Sequence, residues 1–299
     1  MDKIIVQQAP GTLRIAFITP TRDRPEDLRR MLQSLENQTR RPDQVIVVDA
    51  STESVGAVCR EFPTLGVNYL RWTAAPSAAA QRNGGLALLK PEIDWICFFD
   101  DDQVLYPDAL EKAVDFILGN QDHVFGGLAF CCTDYEKENR SFRWKDSRLA
   151  RKLGLYAPPG QVAPSGWQSV IRHPRENLAL AWMSSSAMML KREILQSVQF
   201  DNFFQGYSYL EDLDFSYSVS RKYHLFLLVD ARFDHFHSPA GRGSRYEFGI
   251  MEIRNRRYFV QKHHLSLFSY RLAAFLRWCM SLLHGEFSRA LGNIRALFP

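Results

Sequence analysis

No Cys-x-x-Cys pair occurs in this sequence, and its five cysteines (Cys59, Cys97, Cys131, Cys132 and Cys279) are odd in number. That argues against a zinc ribbon and a disulfide framework, and predicts a reduced, cytosolic chain. The adjacent Cys131 and Cys132 read as small apolar residues following a strand. No uncharged apolar run approaches the ~18 residues needed to span a bilayer. The opening "MDKIIVQQAPG" is too short and too polar for a signal peptide. Basic residues form no dense stripe: 37 Lys and Arg against 33 Asp and Glu leave a net charge of +4, which excludes a dedicated nucleic-acid binder. Internal repeats and low-complexity tracts are also absent.

What is present suits one large α/β domain, with or without an appendage: 299 residues, 46% hydrophobic and 23% charged. "LRIAFITPT" (13–21) predicts a strand, and Pro25 then opens a helix with Leu28, Met31, Leu32 and Leu35 at helical spacing. "QVIVVDAS" (44–51), "VNYLRW" (67–72), "WICFF" (95–99) and "HVFGGLAF" (123–130) predict further strands, with helices around 55–61, 78–89 and 108–118 between them. Such alternation implies right-handed crossovers and a mostly parallel sheet flanked by helices. Ligands bind outside the carboxyl ends of such strands, so Thr19–Thr21, Asp49–Ser51 and Asp100–Asp102 are expected to converge.

"ICFFDDDQ" poses the sharpest chemical question. Three aspartates at the mouth of a buried strand must sit in water or hold a partner, because buried carboxylates need a cation or hydrogen-bond donors. Residues 131–181 lack clear periodicity, and Trp144, Tyr156 and Trp167 there suggest a segment that covers substrate. "WMSSSAMMLKREIL" (182–195) predicts a strand with a hydroxyl-rich face leading into a helix, and "YSYLEDLDF" adds a second acidic cluster at a helix start.

These segments together resemble the family-2 glycosyltransferases, inverting enzymes of the Rossmann-like GT-A fold, and within them a bacterial surface-polysaccharide subgroup. The resemblance rests on "ITPTRDRPEDLRRMLQSLENQ", "VIVVDAS", "AAQRNGGLAL" with "ICFFDDD", "YSYLEDLDFSYSVSR", and "ARFDHFHSPAGR" followed by "EIRNRRYFVQKHH". It covers roughly residues 13–265 through the order and spacing of these motifs. It implies a sugar moved from a nucleotide diphosphate (UDP, dTDP or GDP) to a glycan or lipid-linked acceptor, with manganese or magnesium as cofactor. By the same resemblance Asp102 binds metal, Asp100 lies near ribose and metal, and Asp101 holds the variable middle position while remaining a candidate. His237 resembles an additional metal ligand, with His235 as its competitor. Asp212 matches the catalytic base, with Glu211 second; the helix dipole accounts for acids there equally well. Asp49 resembles the residue that recognises the base edge, and Arg82 a cation near base or diphosphate. Thr19, Pro20 and Thr21 form the nucleotide wall, and Arg242 and Arg245 sit in a glycine-bearing loop expected to close on the diphosphate. Trp182, Ser184 and Ser185 line the sugar and acceptor side, a core position being the alternative for Trp182.

The resemblance divides the chain into a catalytic domain, 1–250, with a nucleotide-binding half (13–130) and an acceptor-binding half (131–250), and a C-terminal helical segment, 251–299. Within it, over residues 266–299, Leu272, Phe275, Leu276, Cys279, Met280, Leu283, Phe287, Leu291, Ile294 and Phe298 follow a helical stripe interspersed with arginines, Glu286 being the one acid of that stretch. Such a helix either lies on an anionic membrane surface, making the protein peripheral on the inner face of the cell membrane, or packs on the catalytic domain or a second subunit. Two rivals stand beside the glycosyltransferase. A nucleotidyltransferase would ordinarily show a Gly-rich phosphate loop near the first strand, which is missing. A non-catalytic sugar-nucleotide-binding scaffold would not need the retained acidic pairs.

Overall fold

The computed structural model describes residues 13–120, 124–133, 147–236 and 243–298. In β1 (Ile15–Thr21), β2 (Gln44–Asp49) and, after the short β3 (Asn68–Arg71), β4 (Trp95–Phe99), the fully buried strands are apolar on both faces. Ile15, Phe17, Val45, Val47, Cys97 and Phe99 point to one side, where they meet α1 (Pro25–Glu36), α2 (Gly56–Arg60) and α4 (Ala109–Gly119). Ala16, Ile18, Ile46, Val48, Ile96 and Phe98 point to the other, toward α3 (Ala78–Leu86), α6 (Arg192–Leu195) and α7 (Glu211–Ser220). The period-two alternation of side chains along each strand thus builds a layer on both faces. Pro25 at the first turn, followed by Glu26 and Asp27, starts α1, and the Ser77 hydroxyl caps α3 by accepting from the Ala80 N–H at 3.3 Å.

The remaining strands are β5 (Gln103–Leu105), β6 (Phe125–Cys132), β7 (Leu178–Leu180), β8 (Ala187–Lys191) and β9 (His224–His235). The sheet runs β3-β2-β1-β4-β8-β6-β9-β5, with β7 paired to β9. The first four strands are parallel, and β8 enters antiparallel between β4 and β6. The expected α/β sheet with flanking helices therefore forms, with a mixed second half. Two consequences matter for chemistry. Antiparallel pairing of Phe99 with Ala187 sets the turn preceding β8 beside the aspartates that follow β4. A register shift in the β6–β9 ladder accompanies the passage of β9 onto β5, where His235 pairs with Gln103. The serines of "WMSSSAMML" accordingly occupy that turn rather than a strand face.

The stretch 131–181 carries α5 (Arg148–Lys152) and β7 among irregular backbone. Tyr156 lies under Arg151 and Trp167 under Arg256, while Trp144 lies outside the described residues. All five cysteines are free thiols. The C-terminal region holds α8 (Arg245–Lys262), α9 (Leu267–Leu283) and α10 (Phe287–Leu297). One continuous helical stripe was expected there. Two helices form instead, separated at His284–Gly285, where Gly285 takes φ +70°. A third core, built around Phe204, Leu213, Ile253, Phe259 and Tyr270, joins α8 and α9 to α7. Among the described residues no helix is long and apolar enough to cross a membrane.

Candidate active site

The carboxyl ends of β1 and β4, the start of α7, the turn before β8 and the end of β9 surround a cleft of about 400 Å³. Asp101 is buried in its wall and Asp100 is partly open to it, while Asp102 is buried against the lining residues Arg24 and His235. Asp101 accepts a hydrogen bond from the Thr21 hydroxyl at 2.7 Å and from Arg24 Nη1 at 3.1 Å. Even so, burial pushes its carboxyl up to about 7, against the pull of Arg24 and Thr21. Asp102 lies 3.4 Å from Arg24 Nη1 and 3.2 Å from His235 Nε2. The ladder of β5 and β9 holds that histidine in place, since the Phe236 N–H donates to the Asp102 carbonyl at 2.9 Å.

Arg82 ties the two acidic clusters together. Its guanidinium is buried and donates through Nη2 to Asp100 Oδ1 at 2.7 Å and through Nη1 to Glu211 Oε1 at 2.8 Å. Glu211 also accepts from the Ser185 hydroxyl at 3.2 Å. Burial and the neighbouring Asp212 charge nevertheless lift the Glu211 carboxyl to about 8, outweighing Arg82. Burial likewise raises Asp212, which borders the cleft and accepts from the Leu213 N–H at 2.7 Å. Leu210, just before α7, adopts φ +75°, a strained conformation for a bulky side chain, and turns the chain so that Glu211 and Asp212 meet the cleft.

Five carboxylates, Asp100, Asp101, Asp102, Glu211 and Asp212, therefore gather around two inner guanidiniums, Arg24 and Arg82. The gathering meets the cost of burying these acids partly with guanidiniums and partly by retaining protons on Glu211 and Asp101, which a cationic ligand would displace. It also explains why "DDD" follows a buried strand: Thr21, Arg24, Arg82 and His235 come to these aspartates from other parts of the fold.

Of the other residues singled out in sequence, Pro20, Thr21, Trp182, Ser184 and Ser185 border the cleft. Trp182 is half-buried and donates from Nε1 to the Ser169 carbonyl at 3.3 Å, so it packs and lines at once. Thr19 and Asp49 do not line it. Thr19 is buried deeper in β1, and its hydroxyl has no hydrogen-bond partner among the described residues. The Asp49 carboxylate faces the interior, accepting from Tyr69 Oη at 2.6 Å, Arg71 Nη1 at 2.9 Å and the N–H groups of Ser51 and Val55. Arg245 begins α8 as an exposed side chain paired with Glu286 at 3.0 Å, away from the cleft lining. His237 and Arg242 lie outside the described residues. The sequence reading missed Arg24, although its place between a strand end and a helix-opening proline was a usable signal. It also missed Gln81, Gln168, Tyr207 and Tyr209, which reach the cleft only through tertiary packing.

The model of the family described as "Glycosyl transferase family 2" matches residues 16–196. Two proteins of Haemophilus influenzae, each described as an uncharacterized glycosyltransferase, are 33% identical over 107 residues and 31% identical over 110. The matches span 36% of this chain and 35% and 40% of those relatives. Among solved structures, S. aureus TarS 1-349 superposes with a TM-score of 0.54 at 15% identity, over 83% of this chain and 65% of that one. The mannosyltransferase PcManGT from Pyrobaculum calidifontis, in complex with GDP-Man and Mn2+, gives 0.55 at 17% identity, over 96% of this chain and 74% of that one. TarS 1-349 has also been solved with UDP-GlcNAc. With the family model spanning more than half of its length, the chain belongs to glycosyl transferase family 2.

Proposed function

We propose that the chain is a metal-dependent inverting glycosyltransferase, moving a sugar from a nucleoside-diphosphate donor to an acceptor hydroxyl in polysaccharide or glycolipid assembly. The observation that carries this reading is the Arg82 bridge. A single buried cation holds the acidic turn after β4 and the acidic start of α7 on one cleft, at 2.7 and 2.8 Å. Inverting transfer needs two such acidic sets, one near the departing diphosphate and one near the attacking hydroxyl. Family membership and the sugar nucleotides bound by PcManGT and TarS support the donor class.

The donor chemistry fits a divalent ion. Asp102 and His235 offer an oxygen and an imidazole 3.2 Å apart beside a surplus of carboxylates, a set suited to manganese or magnesium. Among the described residues no three such side chains are gathered to hold an ion by themselves, so Asp102 and His235 would hold it together with groups of the donor. Bound there, it would neutralise charge on the diphosphate.

Asp212 serves as base. It takes the proton of the acceptor hydroxyl as that oxygen bonds to the anomeric carbon and the bond from that carbon to the diphosphate breaks, releasing nucleoside diphosphate. Its raised affinity for protons makes it a better base than an exposed aspartate. Glu211, lifted to about 8, stays largely protonated at neutral pH and anchors Arg82. Trp182, Ser184, Ser185, Tyr207 and Gln168 form the wall available to sugar and acceptor.

The test is a panel of UDP-, GDP- and dTDP-sugars offered with and without manganese. Nucleoside diphosphate release that needs metal, gives product of inverted anomeric configuration, and falls by roughly 10²–10⁴ in Asp212→Asn supports the reading. Pyrophosphate release would indicate a nucleotidyltransferase, and donor binding without turnover a scaffold; either would sink it.

A further inference from the structure

The C-terminal hairpin is built inside out. Residues buried along α9 and α10 are mostly small or polar: Ser269, Ala274, Ser281, Ala290, Gly292 and Asn293. Tyr270 is the large exception, and many of the other large apolar side chains face outward. Leu283 is 83% exposed, Phe298 73% and Phe268 70%, and Phe275, Phe287 and Leu291 are each more than half exposed. No residue of the apolar stripe read from the sequence is buried. An ordinary surface helix shows the reverse arrangement.

The packing explains why this orientation is locked. Gly249 of α8 and Gly292 of α10 let the two backbones touch: a Cβ on either would collide with a main-chain carbonyl oxygen of the opposite helix, Arg289 or Tyr246. The buried Asn293 side chain donates to the Gly249 carbonyl at 2.9 Å, and the Ser281 hydroxyl donates to Asn293 Oδ1 at 3.1 Å. Glu252 of α8 receives Arg277 at 3.2 Å and Arg289 at 3.0 Å. Rotating either helix to hide its phenylalanines would break these buried polar contacts.

Charge selects the occupant. Glu286, the one acid between residues 266 and 298, is engaged by Arg245, Arg277 and Arg289. Arg271 stands exposed between Phe268 and Phe275 at helical spacing, and Arg295 between Leu291 and Phe298. Among the described residues of this hairpin the outward faces are thus apolar and cationic, with no exposed carboxylate side chain. A second copy docking through the same faces in two-fold symmetry would set arginine against arginine. A bilayer with acidic headgroups satisfies both features, taking the rings and leucines at the acyl boundary and the guanidiniums at phosphate level.

We propose that the α9–α10 hairpin seats the protein on anionic membrane surfaces, with Leu283 and Phe287 at its tip entering the interface. Donor chemistry in the cleft plays no part in this inference, so either can fail alone. The experiment floats the full chain with phosphatidylcholine vesicles, with and without phosphatidylglycerol. Wild type should rise with the anionic vesicles and release at high salt. Leu283→Ser with Phe287→Ser should weaken partitioning by roughly tenfold per side chain. Arg271→Gln with Arg295→Gln should weaken it by about fivefold per arginine. Thermal unfolding followed by circular dichroism, unchanged for these exposed sites, verifies folding. Absence of wild type from anionic vesicles, equal flotation with neutral ones, or undiminished flotation of both double variants overturns the proposal. So does a wild-type dimer that Leu283→Ser with Phe287→Ser makes monomeric without any vesicle binding.

Discussion

Glu211→Gln isolates the electrostatic strain in the cleft. The amide keeps an oxygen for Arg82 and Ser185 to donate to, and removes only the ability to ionise. In the folded protein the Glu211 carboxyl is lifted to about 8 from an ordinary 4.5, first by burial and then by the Asp212 charge. The folded state therefore holds this proton more tightly than the unfolded chain does. That contribution to stability is whole below 4.5 and drains away as pH climbs through 8. Integrating proton binding between pH 5 and 8 gives a loss on the order of 3 kcal/mol from this one group. The Gln variant escapes it. The two proteins should match near pH 5 and diverge as pH rises, the variant becoming more stable at pH 8 by on the order of 3 kcal/mol. Asp101, raised to about 7, adds a similar slope to both proteins, so the comparison cancels it. Urea unfolding at several pH values between 5 and 8 measures the difference. Parallel curves would show that Glu211 is ionised throughout, and the account of the bridge given above would be wrong.

Thr21→Val deletes the hydroxyl that supports the buried Asp101 carboxylate; it should cost about 1–3 kcal/mol above pH 7 and less at pH 5, read by the same unfolding assay. Arg82→Lys keeps the charge but loses the fork that spans Asp100 and Glu211; nucleotide-sugar turnover should fall by roughly ten- to a hundredfold, measured as kcat/KM. Gly292→Ala should push α10 off α8, lowering stability by about 1–3 kcal/mol while leaving the cleft intact, as seen by unfolding alongside donor binding.

Local patterns carried much of the fold. Short continuous apolar runs at 15–18 and 45–48, bounded by polar turns, read as strands buried on both faces, and Leu28, Met31, Leu32 and Leu35 marked the inner face of α1. Run length and the helical period of 3.6 belong to the chain itself. The same local logic located "DDD" and "LEDLD" at element ends, because charge and turn chemistry accompany such boundaries. Contacts between distant segments left no periodic trace. Arg24 reaches Asp101 and Asp102 across 77 and 78 residues, and Arg82 reaches Glu211 across 129. Asp49 shows the converse: its position at a strand end was legible, but the inward turn toward Tyr69 and Arg71 depended on how β3 packs beside β2. In the C-terminal region composition fixed an apolar stripe and its arginines, and tertiary packing chose its direction. The touching backbones at Gly249 and Gly292 and the buried Asn293 hold the small face inward, and that leaves the phenylalanines outside.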